Sequence, residues 1–192
     1  MIDISLIIQI FVLLNPLASV PFLIKAYDQK MNVRHVAMKA VFSAFIIAVT
    51  LVLIGPSLFR VFGITLDSFR VAGGIVLLLL ALNMVRPQKE EKEHISDIDS
   101  VITIIATPTL TGPGTISFMT LKAFEVGQLN VLINIVGSFI LVSIVFFFFS
   151  MAIPKISQKL VSMLSRILGL FLMAVSVELL ANGLHGIIIS LI

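Results

Sequence analysis

Six apolar runs, at about residues 2–24, 36–59, 68–86, 101–121, 129–153 and 164–190, divide this 192-residue chain almost without remainder. Each is close to the roughly 20 residues that a helix needs to cross a bilayer. Charged residues make up 12% of the chain and hydrophobic ones 59%, with a mean hydropathy of +1.17. A soluble domain carries about 25% charged residues. An all-α polytopic membrane protein of six helices follows, as one transmembrane domain over 1–192 with no room for a soluble one.

Charge placement refines the reading. The first, third and fifth loops hold ten basic residues: Lys25, Lys30, Arg34, Lys39, Arg86, Lys89, Lys92, Lys155, Lys159 and Arg166. The second and fourth hold three: Arg60, Arg70 and Lys122. Basic loops stay in the cytoplasm, which predicts a multi-pass protein of the cytoplasmic (inner) membrane with both termini outside. The charge-dense segment RPQKEEKEHISDID, with Pro87, reads as a cytoplasmic linker over about 87–100. The net charge of +3 is explained by this topology, so no nucleic-acid partner is expected. The chain has no cysteine, which excludes disulfides, thiolate metal sites and thiol nucleophiles, and no cofactor is expected. MIDISLIIQI lacks a basic flank and reads as first helix, not signal peptide.

The linker sits at the midpoint, and the halves around it correspond. SFRVAGGIVLLLLALNMV from Ser68 overlays LSRILGLFLMAVSVELLA from Leu164, with Arg70 over Arg166 and Gly73 over Gly169. Asn15-Pro16 matches Gly112-Pro113 at nearly the same offset, and Pro56 matches Pro154. Three helices per half is an odd number, so the second half enters the membrane from the opposite side. The expected architecture is two inverted-topology repeats, about 1–86 and 101–192, as in secondary transporters.

Two of the runs contain residues that break helices. LNPLASVPF interrupts the first and ATPTLTGPGTIS the fourth. At membrane depth irregular backbone is tolerated only where protein buries it or it lines a cavity. Proline suits the first residue of a helix, so Asn15 is expected to cap a half-helix starting at Pro16, and Thr111 or Gly112 one starting at Pro113. Free N–H groups from Leu17, Ala18 and Ser19, and from Gly114, Thr115 and Ile116, then offer an anion site. Ala18, Gly112 and Gly114 are small enough to let a ligand approach, and Ser19, Thr109, Thr111 and Thr115 add hydroxyls. A small zwitterion fits. Proline kinks are the plain alternative for either break alone, and the matched pair argues against it.

Glu178 falls midway along the sixth run; it either carries a coupling proton or is neutral and satisfied by a hydrogen bond. Asn130, Asn134 and Ser138 form a stripe that serves either helix pairing or pore lining. The Ala72, Gly73, Gly74 cluster and Gly137 point to close helix packing. No His-Glu-x-x-His helix, Gly-x-Ser-x-Gly elbow or paired intramembrane aspartate occurs, so no enzyme is expected.

Taken together, NPLASVP (15–21), RVAGGIVLLLLALNM (70–84), PTLTGPG (108–114) and RILGLFLMAVSVE (166–178) resemble the MarC family of six-helix inner-membrane proteins, which is grouped with small neutral amino acid transporters. The resemblance implies transport of glycine, alanine and similar amino acids, with the broken first and fourth helices meeting the substrate. Two positions depart from that family's pattern: Ala18-Ser19 stands where Gly-Asn is usual, and Glu178 where a Gln is expected. The resulting expectation is a secondary transporter of small neutral amino acids working by alternating access, coupled to protons or sodium. Export of another small metabolite or drug, and a non-transporting membrane scaffold, are the alternatives.

Overall fold

The computed structural model of the chain describes residues 2–86, 98–153 and 158–191. Most of the expected linker, 87–97, lies outside them, and Ile98, Asp99 and Ser100 already belong to a helix. In chain order the elements are α1 (Ile4–Leu14), a 3-10 turn (Pro16–Ser19), α2 (Val20–Asp28), α3 (Val33–Phe62), α4 (Leu66–Val85), α5 (Ile98–Ile104), a π turn (Ile105–Leu110), α6 (Pro113–Val126), α7 (Gln128–Ala152) and α8 (Gln158–Leu191). No strand occurs among the described residues.

Five stretches are long and apolar enough to cross a membrane: Ile4–Asp28, Val33–Gly55, Leu66–Val85, Gln128–Ala152 and Lys159–Leu191. They match five of the six runs. The fourth run is divided among α5, the π turn and α6, none of which alone has spanning length. Two helix limits differ from those of the apolar runs. α6 continues past residue 121 to Val126, and α8 begins before residue 164, at Gln158.

Short polar side chains cap the starts of α1, α3 and α4. The Asp3 carboxylate accepts from the N–H groups of Ser5 and Leu6 at 2.9 and 3.2 Å, the Asn32 amide oxygen from His35 at 3.2 Å, and the Thr65 hydroxyl from Ser68 at 3.1 Å. Such caps satisfy N–H groups that the helix leaves unpaired. α3 ends at Gly63 in the left-handed region (φ 63°), which lets Ile64 donate back to the Phe59 carbonyl at 3.0 Å.

α4 and α8 form the most extensive helix pair and run antiparallel: Gly169 lies against Met84 and Val85, Gly74 against Leu180, and Gly183 against Asp67, Arg70 and Val71. Without side chains in the way, the backbones approach closely, and dispersion replaces the hydrophobic effect that lipid does not supply. The expected packing role of the glycine cluster is met, with Gly73 against Ser117 and Gly137 against Ile7. α7 packs on α3 and α1. Two residues of the Asn130, Asn134, Ser138 stripe serve the α1 contact, while Asn130 donates to the Val126 carbonyl at 2.8 Å. Asn134 accepts from the Asp3 N–H at 2.8 Å, and the Ser138 hydroxyl donates to the Ile7 carbonyl at 2.9 Å. Of the two readings of that stripe, helix pairing is the one these bonds support.

A Cβ at Gly183 falls 2.8 Å from the Asp67 carbonyl oxygen, a backbone atom that cannot turn aside. Gly183→Leu is expected to destabilise the protein by about 1–3 kcal/mol, or several °C of melting temperature at this chain length. Ala181→Leu, on the exposed face of the same helix, is expected to leave it unchanged. Thermal unfolding in detergent checks both.

Candidate functional site

The two breaks meet. The 3-10 turn packs on the π turn, and the Thr115 hydroxyl, in the first turn of α6, donates to the Leu13 carbonyl at 3.1 Å. That carbonyl belongs to the last turn of α1, where helix termination leaves acceptors unpaired. Asn15, Ser19, Thr111 and Thr115 are all at most 2% exposed, so a buried polar cluster lies where the two interrupted runs cross. Gly112 is buried beside them, and Leu17 and Ala18 are partly exposed.

At the first break the chain behaves differently from the expected N-cap. Asn15 adopts a left-handed conformation (φ 44°, ψ 63°) and closes the end of α1, its N–H donating to the Phe11 and Val12 carbonyls at 3.3 and 3.1 Å. Asparagine tolerates this region better than most residues. Pro16 then begins a single 3-10 turn, as its fixed φ allows. The Asn15 side chain makes no capping bond; its amide donates to the Met84 sulfur at 3.2 Å. Nor is the Ala18 N–H free, since it donates to the Asn15 carbonyl at 3.0 Å. The tighter winding of a 3-10 turn uses a donor that an α-helical start would leave open.

At the second break the expectation is closer. Gly112 is extended (φ −63°, ψ 164°) and Pro113 is the first residue of α6. No side chain caps this helix, so the N–H groups of Gly114 and Thr115 in its first turn have no capping partner. Ile116 donates to the Gly112 carbonyl at 3.1 Å, which removes it from the expected donors. The Thr111 hydroxyl donates to the Ala106 carbonyl at 2.6 Å, and its N–H to the same atom at 3.1 Å. That i to i−5 bond closes the π turn, a form frequent at functional sites. Thr109 lies in this turn; its side chain and that of Pro113 are outside the described set.

Gly114 does not open onto free space. A Cβ there meets Leu77 Cδ2 at 2.7 Å, because α4 packs against α6 and fills the position with an aliphatic side chain. Leu77 and Met84 were not singled out from sequence, where they are ordinary members of an apolar run. Glu178 is also set apart from the breaks. Its side chain is exposed on α8, beside an open groove lined by α8 residues alone, among them Met173, Val177 and Asn182.

Two polar atoms of the cluster stand out. Among the described residues, Asn15 Oδ1 and Ser19 Oγ are buried and have no hydrogen-bond partner. An unmet buried polar atom costs about 1–3 kcal/mol, so native proteins rarely keep one without a use.

An ion-pair network lies at the far end of α6. Arg70 of α4 bonds Asp67 at 2.7 Å and Glu125 at 2.8 Å, and Lys122 bonds Glu125 at 2.8 Å. Glu125 is past the end of the fourth apolar run. Burial pushes its carboxyl up, but the hydrogen bonds from Arg70 and Lys122 outweigh that and hold it below the ordinary carboxylate value. Phe59 packs edge-on against Phe69 (4.3 Å between centroids) and stacks on Phe124 (4.8 Å), joining α3, α4 and α6 beside the network.

Apolar helices of spanning length, joined through two interrupted runs whose polar residues are buried together, define an integral multi-pass membrane protein with an internal polar site. The chain belongs to the MarC family: the model of the MarC family integral membrane proteins matches residues 2–188. A UPF0056 membrane protein of Methanocaldococcus jannaschii is 33% identical over 93% of each chain. Another from Aquifex aeolicus is 31% identical over 94% of this chain and 91% of its own, and YhcE of Escherichia coli is 28% identical over 94% and 90%. No solved structure matches.

Thr115→Val removes the only bond described for the Leu13 carbonyl outside its own helix. It is expected to lower stability by about 1–3 kcal/mol, while Thr115→Ser retains the hydroxyl and most of the stability. Melting temperatures of the two variants beside the parent check this.

Proposed function

We propose that the protein is a secondary transporter of small neutral amino acids, such as glycine and alanine, that binds its substrate where the two helix breaks meet. The unpartnered Asn15 Oδ1 and Ser19 Oγ carry the reading. An amide oxygen accepts, so it suits a ligand's ammonium, and the hydroxyl takes either role. The uncapped first turn of α6, at Gly114 and Thr115, suits a carboxylate. Donors and acceptors within one buried cluster are the complement of a zwitterion. Leu77 and Met84 border the cluster, leaving little space for a side chain larger than methyl.

In this reading the two halves are inverted three-helix repeats that rock against one another in alternating access. The antiparallel packing of α4 on α8, and the meeting of the breaks, support it. The distribution of basic residues supports a cytoplasmic linker and both termini outside, in the cytoplasmic (inner) membrane. A proton or sodium gradient drives uptake. The exposed position of Glu178, away from the breaks, argues for a coupling ion bound in the polar cluster instead.

Purified protein in liposomes is expected to accumulate labelled glycine down an imposed ion gradient, with alanine competing and leucine or phenylalanine competing far less. Ser19→Ala removes an unpartnered hydroxyl, so the melting temperature is expected to hold or rise while uptake falls at least about tenfold, the effect of losing one hydrogen bond to a charged group. Uptake by this variant at the parent rate, or equal competition from leucine, contradicts the assignment.

A further inference from the structure

The ion-pair network at the end of α6 has a sequence counterpart that the structure leaves apart. At an offset of 97 residues, the offset that carries Pro16 onto Pro113, Lys25-Ala26-Tyr27-Asp28 falls on Lys122-Ala123-Phe124-Glu125: lysine, alanine, aromatic, acid in both. Arg166 is in turn the counterpart of Arg70, one residue closer at 96. Arg70 and Glu125 therefore have equivalents in Arg166 and Asp28, on α8 and α2 in place of α4 and α6.

Their geometry differs. α4 packs tightly on α6, with Leu77 against Gly114 and Gly73 against Ser117, and Arg70 bonds Glu125 at 2.8 Å. α8 and α2 make no comparable contact, Asp28 and Arg166 are both exposed, and neither forms an ion pair among the described residues. Asp28 lines an open groove with Tyr27, Lys30 and Met31. Equivalent residues, joined in one half and separated in the other, are the arrangement expected of an element that repacks between two states and is seen in one of them.

We propose that Arg70–Glu125 and Arg166–Asp28 are alternately closed clasps at opposite ends of the substrate path. In the conformation described, the first is shut, with the Phe59, Phe69 and Phe124 contact beside it, and the second is open. Asp28 and Arg166 are then positioning residues for the transport cycle that act by holding α2 to α8. A partly solvated ion pair is a weak tie, which suits a contact that opens in every cycle. The inference rests on the alternating-access reading but not on the identity of the substrate.

The chain has no cysteine, so Gln29→Cys and Met163→Cys supply two spin labels, one beside each member of the open clasp. Double electron–electron resonance on the full-length protein in liposomes, without substrate, reads their separation. Glu125→Gln keeps the side-chain shape and removes the charge that Arg70 and Lys122 hold. It is expected to shift the population to a distance shorter by about one helical turn, ~5 Å. Adding Asp28→Asn or Arg166→Gln to Glu125→Gln is expected to remove that short component, while either alone leaves the parent distribution in place. An unchanged distribution in Glu125→Gln, or a short component that survives Asp28→Asn, overturns the proposal. Since no amino acid enters the measurement, the shift is seen even if the cargo is a different solute. Glycine uptake without the shift overturns the clasps and leaves the substrate assignment standing.

Discussion

Backbone that leaves a helix inside hydrocarbon has to find its hydrogen bonds within the protein, and this requirement organises the interior of the molecule. The Leu13 carbonyl, released where α1 ends, is met by Thr115 from a residue 102 positions later. Ala18 turns back to Asn15, and Thr111 turns back to Ala106. The first interrupted run is thus repaired partly by itself and partly by the second, and the second closes its own π turn. The two breaks pack on one another and share the Thr115–Leu13 bond, so the first is not a local defect in an otherwise continuous span. Their proximity also concentrates polarity: among the described residues, four of the eight buried polar side chains, Asn15, Ser19, Thr111 and Thr115, belong to them.

Around that centre the helices are held by shape more than by polarity. The seam between α4 and α8 is built from glycines that accept backbone or aliphatic atoms of the opposite helix, and the core around α3 and α7 is aliphatic and aromatic. Among the described residues the polar links between helices are sparse, such as Ser138 to Ile7 and Asn134 to Asp3. In lipid, where apolar faces gain little by leaving solvent, close packing is the term that discriminates one helix arrangement from another. Gly186 shows how tight the seam is, since a Cβ there overlaps the Asp67 carboxylate that is itself bonded to Arg70.

The membrane class, five of the spans and the location of both breaks were legible in the sequence because they follow from hydropathy and from the chemistry of proline, properties of single residues and their spacing. The caps at Asn32 and Thr65 obey the same local rules. What was not legible depended on distant partners. Asn15 reads as an N-cap in sequence, yet it takes a left-handed turn and gives its amide to Met84, which is 69 residues away. Gly114 reads as open space until Leu77 from α4 occupies it. Glu178 reads as an interior carboxyl because it sits mid-run, but the rotation of α8 is set by its glycines facing α4, and that turns Glu178 outward. Local pattern specifies where a helix breaks; only tertiary packing specifies which donors remain.

One residue of the α2 end gives the molecule an optical property. The chain contains a single tyrosine and no tryptophan, and that tyrosine, Tyr27, is about half exposed in the groove beside Asp28. Excitation near the phenol band therefore reports from one point in the whole protein, without a label or a substitution. Emission intensity and its quenching by iodide or acrylamide become a native gauge of solvent access at the end of α2, readable in detergent, in vesicles and in real time.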